Sequence, residues 1–141
     1  MPSYDRVDAA EWTPLLTAAR EARARAYAPY SHYEVGSAFA CADGTMAAGC
    51  NVENASFGGT ICAERNAICH AVATGRRAFV AAVIVTRGPE PAAPCGLCRQ
   101  VIAEFADDLP ILLVAEEGGA RRLVRFADLL PMAFRPGAIA G

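Results

Sequence analysis

Apolar residues recur at helical spacing in three stretches of the chain, and this periodicity predicts three helices. The first helix is expected to begin with Thr13 as its N-cap and Pro14 at its first position, and to end near Pro29. Thr60 is the expected cap of the second helix, which Gly75 ends. The predicted helical ranges are residues 13–28, 61–74 and about 95–106. In the third helix the expected apolar face consists of Leu97, Val101, Ile102 and Phe105.

Five shorter runs are typical of strands, because their residues are continuously apolar or alternate between apolar and polar. Asp43 and Gly44 separate the first two runs and predict a tight hairpin turn, so these two strands are expected to be antiparallel neighbours. Gly118 and Gly119 predict a turn between the last two runs. The runs cover residues 34–42, 45–53, 80–87, 110–117 and 121–126. The order of elements predicts an α/β fold, a three-layer α/β/α sandwich with a mixed five-stranded sheet, in a single domain covering residues 1–141.

Composition narrows the classes of function. Hydrophobic residues make up 54% and charged residues 20% of the chain, which is typical of a globular domain, and no apolar run reaches the roughly 18 residues of a membrane span. All 13 basic residues are arginine, which excludes enzymes that need a Schiff-base lysine or a phosphate-loop lysine. The net charge is −2 and the arginines are dispersed, so neither nucleic acid nor a membrane is an expected partner. The N-terminal stretch lacks the apolar core of a signal peptide, so a cytoplasmic protein with reduced cysteines is expected.

Three cysteines stand at the predicted beginnings of two helices, where thiolates are favoured and can point at one metal ion. Cys62 begins the second helix, and Cys95 and Cys98 begin the third. The C-x-x-C pair alone also fits a redox site, but it does not follow the first strand of a thioredoxin-like unit. Cys69 and His70 lie roughly 10 to 12 Å along the helix from Cys62, which is too far for the same ion. Three ligands without a clear fourth predict an open, catalytic zinc site, whereas a structural zinc module needs four.

The other chemically active residues of these stretches have alternative interpretations. Cys41 and Cys50 fall within hairpin strands, where packing as small apolar residues is expected. His32 lies in the loop before the hairpin. Glu64 follows Cys62 by two residues, and alone it is typical of the first turn of a helix. Beside an open zinc, however, a carboxylate that is not a ligand can take a proton from the metal-bound water and return it to a leaving group.

The sequence Cys62-Ala63-Glu64, followed by Pro94-Cys95-x-x-Cys98, resembles the signature of the zinc-dependent deaminases. The longer stretches YAPYSHYEVGSAF, GCNVENASFGGTICAERNAI, PCGLCRQV and LLPMAF are similar to the small homotetrameric cytidine deaminases, and the resemblance covers about residues 14–136. It implies a mixed five-stranded sheet between helices and one Zn²⁺ per chain, held by the three cysteines. It further implies hydrolysis of cytidine or 2′-deoxycytidine to the corresponding uridine and ammonia. In that reaction Glu64 shuttles protons while zinc-bound hydroxide attacks C4 of the base.

The same resemblance implies roles for residues around the metal. Asn51 and Glu53 correspond to residues that grip the ribose, although a polar strand end is the alternative for these two alone. Ala63 belongs to the same substrate-binding set. Tyr33 stands where the family usually has phenylalanine against the base, so its extra hydroxyl is expected to affect the preference among pyrimidine nucleosides, including 5-substituted ones. Phe134 corresponds to an aromatic residue that reaches a neighbouring subunit's pocket, which implies a homotetramer with shared sites. Its alternative is a core position in its own chain.

Two arginines are candidates to offset the negative charge of three thiolates on one zinc ion. The resemblance implies that Arg65 hydrogen-bonds the ligand sulfurs, whereas Arg99 is equally suited to a structural role. Three competing functions remain open from the sequence. A blasticidin-type deaminase shares the zinc motif, a polynucleotide deaminase usually has histidine as the first ligand, and a structural zinc module is not an enzyme.

Overall fold

The computed structural model describes residues 3–139. Its helices are α1 (Trp12–Arg23), α2 (Ala63–Ala73), α3 (Gly96–Phe105) and α4 (Phe126–Leu129). Its strands are β1 (Val35–Cys41), β2 (Met46–Cys50), β3 (Phe79–Thr86), β4 (Pro110–Ala115) and β5 (Arg121–Arg125). Short 3₁₀ turns lie at Phe57–Gly59 and Pro136–Ala138. Within residues 3–139 the helices are too short or too polar to traverse a lipid bilayer.

The strands form one mixed sheet in the order β2-β1-β3-β4-β5. The β1–β2 and β1–β3 pairs are antiparallel, β3 and β4 are parallel, and β4 and β5 are antiparallel. The β1–β2 connection is the predicted hairpin, and Gly44 adopts a φ of 89°, which glycine reaches without the steric cost of a Cβ atom. The predicted fold class, a mixed five-stranded sheet with helices on both faces, is confirmed.

Alternating strand residues divide the apolar core into two layers, one on each face of the sheet. On one face α1 packs with Trp12 and Leu15 against β1 and β3, in a cluster that includes Ala38 and Val83. The residues of the opposite face, such as Ile84, pack against α2 and α3 through a second cluster. That cluster is formed by Phe39, Ala67, Ile68, Ala82, Ile84, Ile102, Ala103, Leu109, Ile111, Leu113 and Phe126. Helices α2 and α3 therefore lie side by side on one face of the sheet, with both N-termini available to a common site.

Two glycines allow helices to approach the sheet closely. A Cβ atom on Gly36 in β1 would overlap the backbone carbonyl of Ala19 in α1. A Cβ atom on Gly49 in β2 would overlap the backbone nitrogen of Ala67 in α2 and lie 2.8 Å from the carbonyl oxygen of Ala63. The second contact fixes the depth at which the N-terminal turn of α2 lies against the sheet.

Four details of the predicted helices are wrong. Helix α1 begins at Trp12 after the N-cap Glu11, not Thr13, because the fully buried Trp12 extends the helix toward the N-terminus. It ends at Arg23 rather than near Pro29. Helix α2 has Cys62 as its N-cap instead of Thr60. In α3 Leu97 is 65% exposed, because the helix turns Cys98 and Ile102 inward instead.

Candidate metal centre and active-site cavity

The N-termini of α2 and α3 bring the three predicted ligand cysteines together. Cys62 is the N-cap of α2, Cys95 is the N-cap of α3, and Cys98 lies in the first turn of α3. The Sγ atoms of Cys62 and Cys95 are 3.6 Å apart, and all three sulfurs lie within 4.8 Å of one another. Two sulfurs bound to one tetrahedral zinc ion at about 2.3 Å lie about 3.8 Å apart. The spacing therefore fits a single zinc ion.

The surroundings of these sulfurs favour a thiolate. The thiol of Cys98, acting as hydrogen-bond donor, lowers the pKa of Cys62 to about 5 against the opposing effect of burial, with smaller contributions from Arg65 and Cys95. The same interaction with Cys62, together with burial, raises the pKa of Cys98. These surroundings therefore favour the thiolate form of Cys62 and the protonated form of Cys98. Soft thiolates of this kind are preferred ligands of zinc.

The two candidate arginines differ in what they contact. Arg65 places Nη2 3.7 Å from the Sγ of Cys62 and donates to the carbonyl oxygen of Thr60 at 3.2 Å. Its Nε is buried without a hydrogen-bond partner among the described residues, so a donor remains available beside the sulfurs. Arg99 donates to the carbonyl oxygens of Pro94 and Leu129, both at 2.8 Å. Arg65 therefore contacts the cluster directly, and Arg99 ties the segment before α3 to the end of α4.

The geometry and the donor chemistry of the cluster both fit zinc. Three sulfurs have the separation that tetrahedral coordination requires, and a guanidinium lies beside them to offset their charge. Within residues 3–139 no fourth cysteine, histidine, aspartate or glutamate joins the group. An ion held by these sulfurs would keep a position for a small molecule, as in catalytic rather than structural zinc sites.

Glu64 lies in the wall of a cavity of about 200 Å³ that also contains Cys62 and Cys95. The carboxylate is not a member of the ligand group, and the residue is only 4% exposed. Burial raises the pKa of Glu64 to about 6, and the negative charge of Cys62 adds to the effect. A carboxyl group with such a pKa exchanges a proton readily near neutral pH. The structure thus places the predicted proton shuttle beside the predicted metal ligands.

The same cavity contains three of the predicted substrate-binding residues, Tyr33, Asn51 and Ala63. Sequence reasoning did not assign Thr86 to the site, although a threonine that ends a buried apolar strand is a detectable signal. Its Oγ1 is buried without a hydrogen-bond partner among the described residues. The complete lining consists of Tyr33, Val35, Asn51, Thr60, Cys62, Ala63, Glu64, Ile84, Thr86, Ala92, Ala93 and Cys95.

Asn51 is fixed by backbone groups at the beginning of β1 and just before it. Its Oδ1 accepts from the backbone N–H of Val35 at 2.9 Å, and its Nδ2 donates to the carbonyl oxygen of Tyr33 at 2.8 Å. A carboxamide has two N–H groups and two oxygen lone pairs, so half of this capacity remains for a ligand. Asn51 therefore stabilises the backbone of Tyr33 and Val35 in the cavity wall and can also bind a ligand in the cavity.

Glu53 faces an adjoining cavity of about 290 Å³ rather than the one that contains Glu64. Its carboxylate accepts hydrogen bonds from the backbone N–H groups of Tyr30 and Ser31 at 3.0 and 3.1 Å and from the Ser31 hydroxyl. Thr60 lines both cavities, so they are neighbours. The complete lining of the second cavity is Tyr30, Ser31, Glu53, Phe57 and Thr60.

Phe134 lies outside both cavities and is 59% exposed, so it is not a core residue within this chain. Its carbonyl oxygen accepts a hydrogen bond at 2.8 Å from Gln100 of α3, which holds this part of the chain against the helix. Cys69 and His70 are exposed and remain outside the ligand group, as the length of α2 predicted.

A family model described as the cytidine and deoxycytidylate deaminase zinc-binding region matches residues 11–113, which is more than half of the chain. The chain belongs to the cytidine and deoxycytidylate deaminase family. A cytidine deaminase from Sporosarcina psychrophila is 44% identical over 121 residues, which cover 85% of this chain and 88% of the relative. A cytidine deaminase from Mycobacterium tuberculosis is 41% identical over 124 residues, which cover 88% of this chain and 90% of the relative.

Solved structures of cytidine deaminases share the fold. The cytidine deaminase from Burkholderia pseudomallei superimposes with a TM-score of 0.81 at 46% identity, covering 86% of this chain and 98% of that protein. The region matched by the deaminase family model contains Cys62, Cys95, Cys98 and Glu64, whereas Phe134 lies beyond it. The zinc-binding region of the family and the cysteine cluster together fit one Zn²⁺ per chain.

Proposed function

We propose that this chain is a zinc-dependent cytidine deaminase, which converts cytidine or 2′-deoxycytidine and water to the corresponding uridine and ammonia. One observation carries the proposal: three cysteine sulfurs and a buried glutamate outside their ligand group meet at the same cavity. Membership of the deaminase family supports it, because relatives that cover 85% or more of the chain are cytidine deaminases.

Cys62, Cys95 and Cys98 would hold the metal. When bound there, zinc supplies Lewis-acid activation of water at neutral pH. Glu64 takes a proton from the attacking water and returns it to the amino group that leaves C4 of the base as ammonia. The raised pKa of Glu64 suits both steps, since the group must accept a proton and then release it. Arg65 stabilises the sulfur cluster by its positive charge.

Four of the predicted substrate-binding residues line the two cavities and bind the nucleoside. Ala63, which is fully buried at the start of α2, closes the cavity beside Glu64. Tyr33, which lines the same cavity as Ala63, contacts the base, and Asn51 and Glu53 bind the sugar hydroxyls. The lining of both cavities contains no lysine, arginine or histidine side chain, which suits an uncharged nucleoside.

A second candidate substrate class is a modified cytosine nucleoside, such as a 5-substituted or blasticidin-type compound. The observation in its favour is Tyr33, which is 40% exposed at the cavity and adds a hydroxyl to the aromatic wall. A non-catalytic zinc module is disfavoured, because three sulfurs without a fourth protein ligand among the described residues do not form a closed structural site.

We also propose that residues 1–141 act as one domain and that the chain functions as a homotetramer with shared active sites. One sheet that uses strands from Val35 to Arg125 supports a single domain. Exposed apolar side chains on α3 and the segment after α4, including Leu97, Met132 and Phe134, support burial against other subunits. A reducing compartment such as the cytoplasm suits a site built from three thiols.

The test is a panel of nucleosides incubated with the purified, zinc-loaded protein, with ammonia release and loss of cytidine absorbance as independent measurements. We expect turnover of cytidine and 2′-deoxycytidine. The ratio of kcat/KM for cytidine to kcat/KM for 5-substituted analogues reports the effect of Tyr33. Zinc-loaded protein that is inert toward every member of the panel would contradict the proposed function.

A further inference from the structure

Residues 30–35, which lead into the first residue of β1, are fixed by hydrogen bonds from several sides, and we call them the 30–35 segment. His32 has a φ of 57°, a left-handed conformation that is uncommon for a residue with a Cβ atom. Its N–H donates to the carbonyl oxygen of Ala28 at 3.0 Å, and its own carbonyl oxygen accepts from the side chain of Arg87. A strained residue held from two directions indicates a segment whose shape is imposed by its surroundings.

The carboxylate of Glu53 is the main anchor of this segment. It accepts from two successive backbone N–H groups, of Tyr30 and Ser31, and from the hydroxyl of Ser31. The Ser31 hydroxyl is the largest contributor among the contacts that lower the pKa of Glu53. A carboxylate offers about four acceptor positions, so capacity remains for one further donor. The serine hydroxyl therefore determines which acceptor position of Glu53 faces the adjoining cavity.

Ser31 has a second contact that fixes its own orientation. Its Oγ accepts from the backbone N–H of Tyr33 at 3.0 Å, while the same hydroxyl donates to Glu53. The carbonyl oxygen of Tyr33 is held in turn by Asn51. A hydroxyl that both accepts and donates has little rotational freedom left, so its hydrogen points at the carboxylate of Glu53.

We propose that Ser31 is a positioning residue, which orients the carboxylate of Glu53 toward the sugar hydroxyls of the nucleoside. This inference rests on the proposed function, in which Glu53 binds the sugar. It assigns a role to a side chain that does not itself contact the reacting atoms. Without the Ser31 hydroxyl, Glu53 keeps its charge and its backbone contacts but loses the bond that selects one orientation.

The test compares two nucleosides that share the base but differ in the sugar, namely cytidine and 2′,3′-dideoxycytidine. Only cytidine carries the vicinal 2′- and 3′-hydroxyls that an oriented Glu53 would bind, while both nucleosides carry the 5′-hydroxyl. In Ser31→Ala we expect KM for cytidine to rise about 10-fold, the effect of one hydrogen bond to a charged group, with kcat changed by less than about 2-fold. We expect less than about a 2-fold change for dideoxycytidine, measured as KM or as Ki against cytidine where its turnover is slow.

Three further variants separate positioning from folding. Ser31→Thr keeps a hydroxyl and should restore most of the cytidine KM. In a Glu53→Gln background, Ser31→Ala should have almost no further effect on the cytidine KM, because the two residues act as one unit. Ser3→Ala is the matched control, since the Ser3 hydroxyl also donates to a carboxylate, that of Asp5 at 2.6 Å, but on the N-terminal stretch. Ser3→Ala should leave kcat and KM unchanged for both nucleosides.

A partly unfolded Ser31→Ala preparation lowers the concentration of active enzyme equally for both nucleosides and leaves their KM ratio unchanged, so loss of folding cannot imitate the expected result. An unchanged ratio between the two nucleosides in Ser31→Ala, or additive effects with Glu53→Gln, would overturn the inference. Failure of the wild-type protein to deaminate either nucleoside would instead overturn the proposed function.

Discussion

Glu64 and Thr86 are both buried in the wall of the candidate active-site cavity, but burial has a different consequence for each side chain. Burial raises the pKa of the Glu64 carboxyl group to about 6, so the carboxylate is adapted to exchanging protons. The hydroxyl of Thr86 has no hydrogen-bond partner among the described residues, so the protein without ligand bears the cost of its desolvation. A single substitution at Glu64 therefore tests proton transfer, and one at Thr86 tests the cost of a buried hydroxyl without a partner.

Glu64→Gln removes proton transfer while keeping the size and most hydrogen-bonding capacity of the side chain. We expect kcat to fall by at least about 100-fold, the lower range for loss of a general acid–base group, with zinc content and substrate affinity close to wild type. Steady-state kinetics and metal analysis on the same preparation check this result. Near-full turnover in this variant would show that Glu64 is not the proton shuttle.

Thr86→Val replaces the unpartnered hydroxyl with a methyl group of similar size. We expect the free energy of unfolding to increase by about 1 kcal/mol, because a buried donor and acceptor without a partner is removed. Urea denaturation measures the change. Ser37→Ala is the control, since the buried Ser37 hydroxyl donates to the carbonyl oxygen of Val83 at 2.9 Å and its loss should destabilise the protein. Destabilisation by Thr86→Val would mean that its hydroxyl is satisfied in solution.

At the scale of elements, the site depends on the position of α2, which carries both Cys62 and Glu64 at its beginning. Gly49 of β2 lies directly against this helix. We expect Gly49→Ala to destabilise the protein by about 1–3 kcal/mol, because the methyl group would overlap the backbone of Ala67. The displaced helix should also bind zinc more weakly, which thermal unfolding and a zinc-competition titration can measure together.

The control for this substitution is Gly137→Ala, because an added methyl group at Gly137 meets no atom within 4 Å. It should change neither stability nor zinc affinity. If Gly49→Ala were equally neutral, the close contact between β2 and α2 would not determine the geometry of the site.

Local sequence patterns predicted the elements well but not their ends or their orientation. The Asp43-Gly44 turn and the apolar runs of the strands are local signals, and the hairpin and sheet follow from them. The predicted cap of α2 is wrong because Thr60 has a favourable cap side chain, but Ile61 pairs with Val52 in an isolated bridge, so the helix begins only after Cys62. Leu97 was placed on the wrong face of α3 because tertiary contacts turn Cys98 inward. The spacing of apolar residues alone does not predict that a helix turns a metal-binding cysteine toward the interior.

In the candidate site, too, the residues with a local sequence signal were predictable and those that depend on long-range contacts were not. The positions of Cys62, Cys95 and Cys98 at the beginnings of two predicted helices indicate a metal cluster. The structure brings these three sulfurs together as predicted. The contribution of Ser31 was not predictable, because its contact with Glu53 joins residues 22 positions apart and depends on the left-handed turn at His32. Long-range side-chain contacts of this kind have no periodic signature in the sequence.

At the scale of the whole molecule, the exposed apolar side chains predict assembly. We expect light scattering at micromolar concentration to give a mass about four times the 14.8 kDa of one chain. Phe134→Ala should lower kcat/KM for cytidine, because the proposal assigns this exposed ring to a neighbouring subunit's site. Ile139→Ala is the control, since Ile139 is 75% exposed but has no assigned role. A fully active monomer would contradict the shared site.

In the proposed site three sulfurs hold one zinc ion and leave a position that no protein side chain fills. X-ray absorption at the zinc edge of the purified, zinc-loaded protein measures this coordination directly. We predict three sulfur neighbours at about 2.3 Å and one oxygen or nitrogen neighbour at about 2.0 Å, at one zinc per chain. Four sulfur neighbours, or a protein that binds no zinc, would contradict an open zinc site formed by Cys62, Cys95 and Cys98.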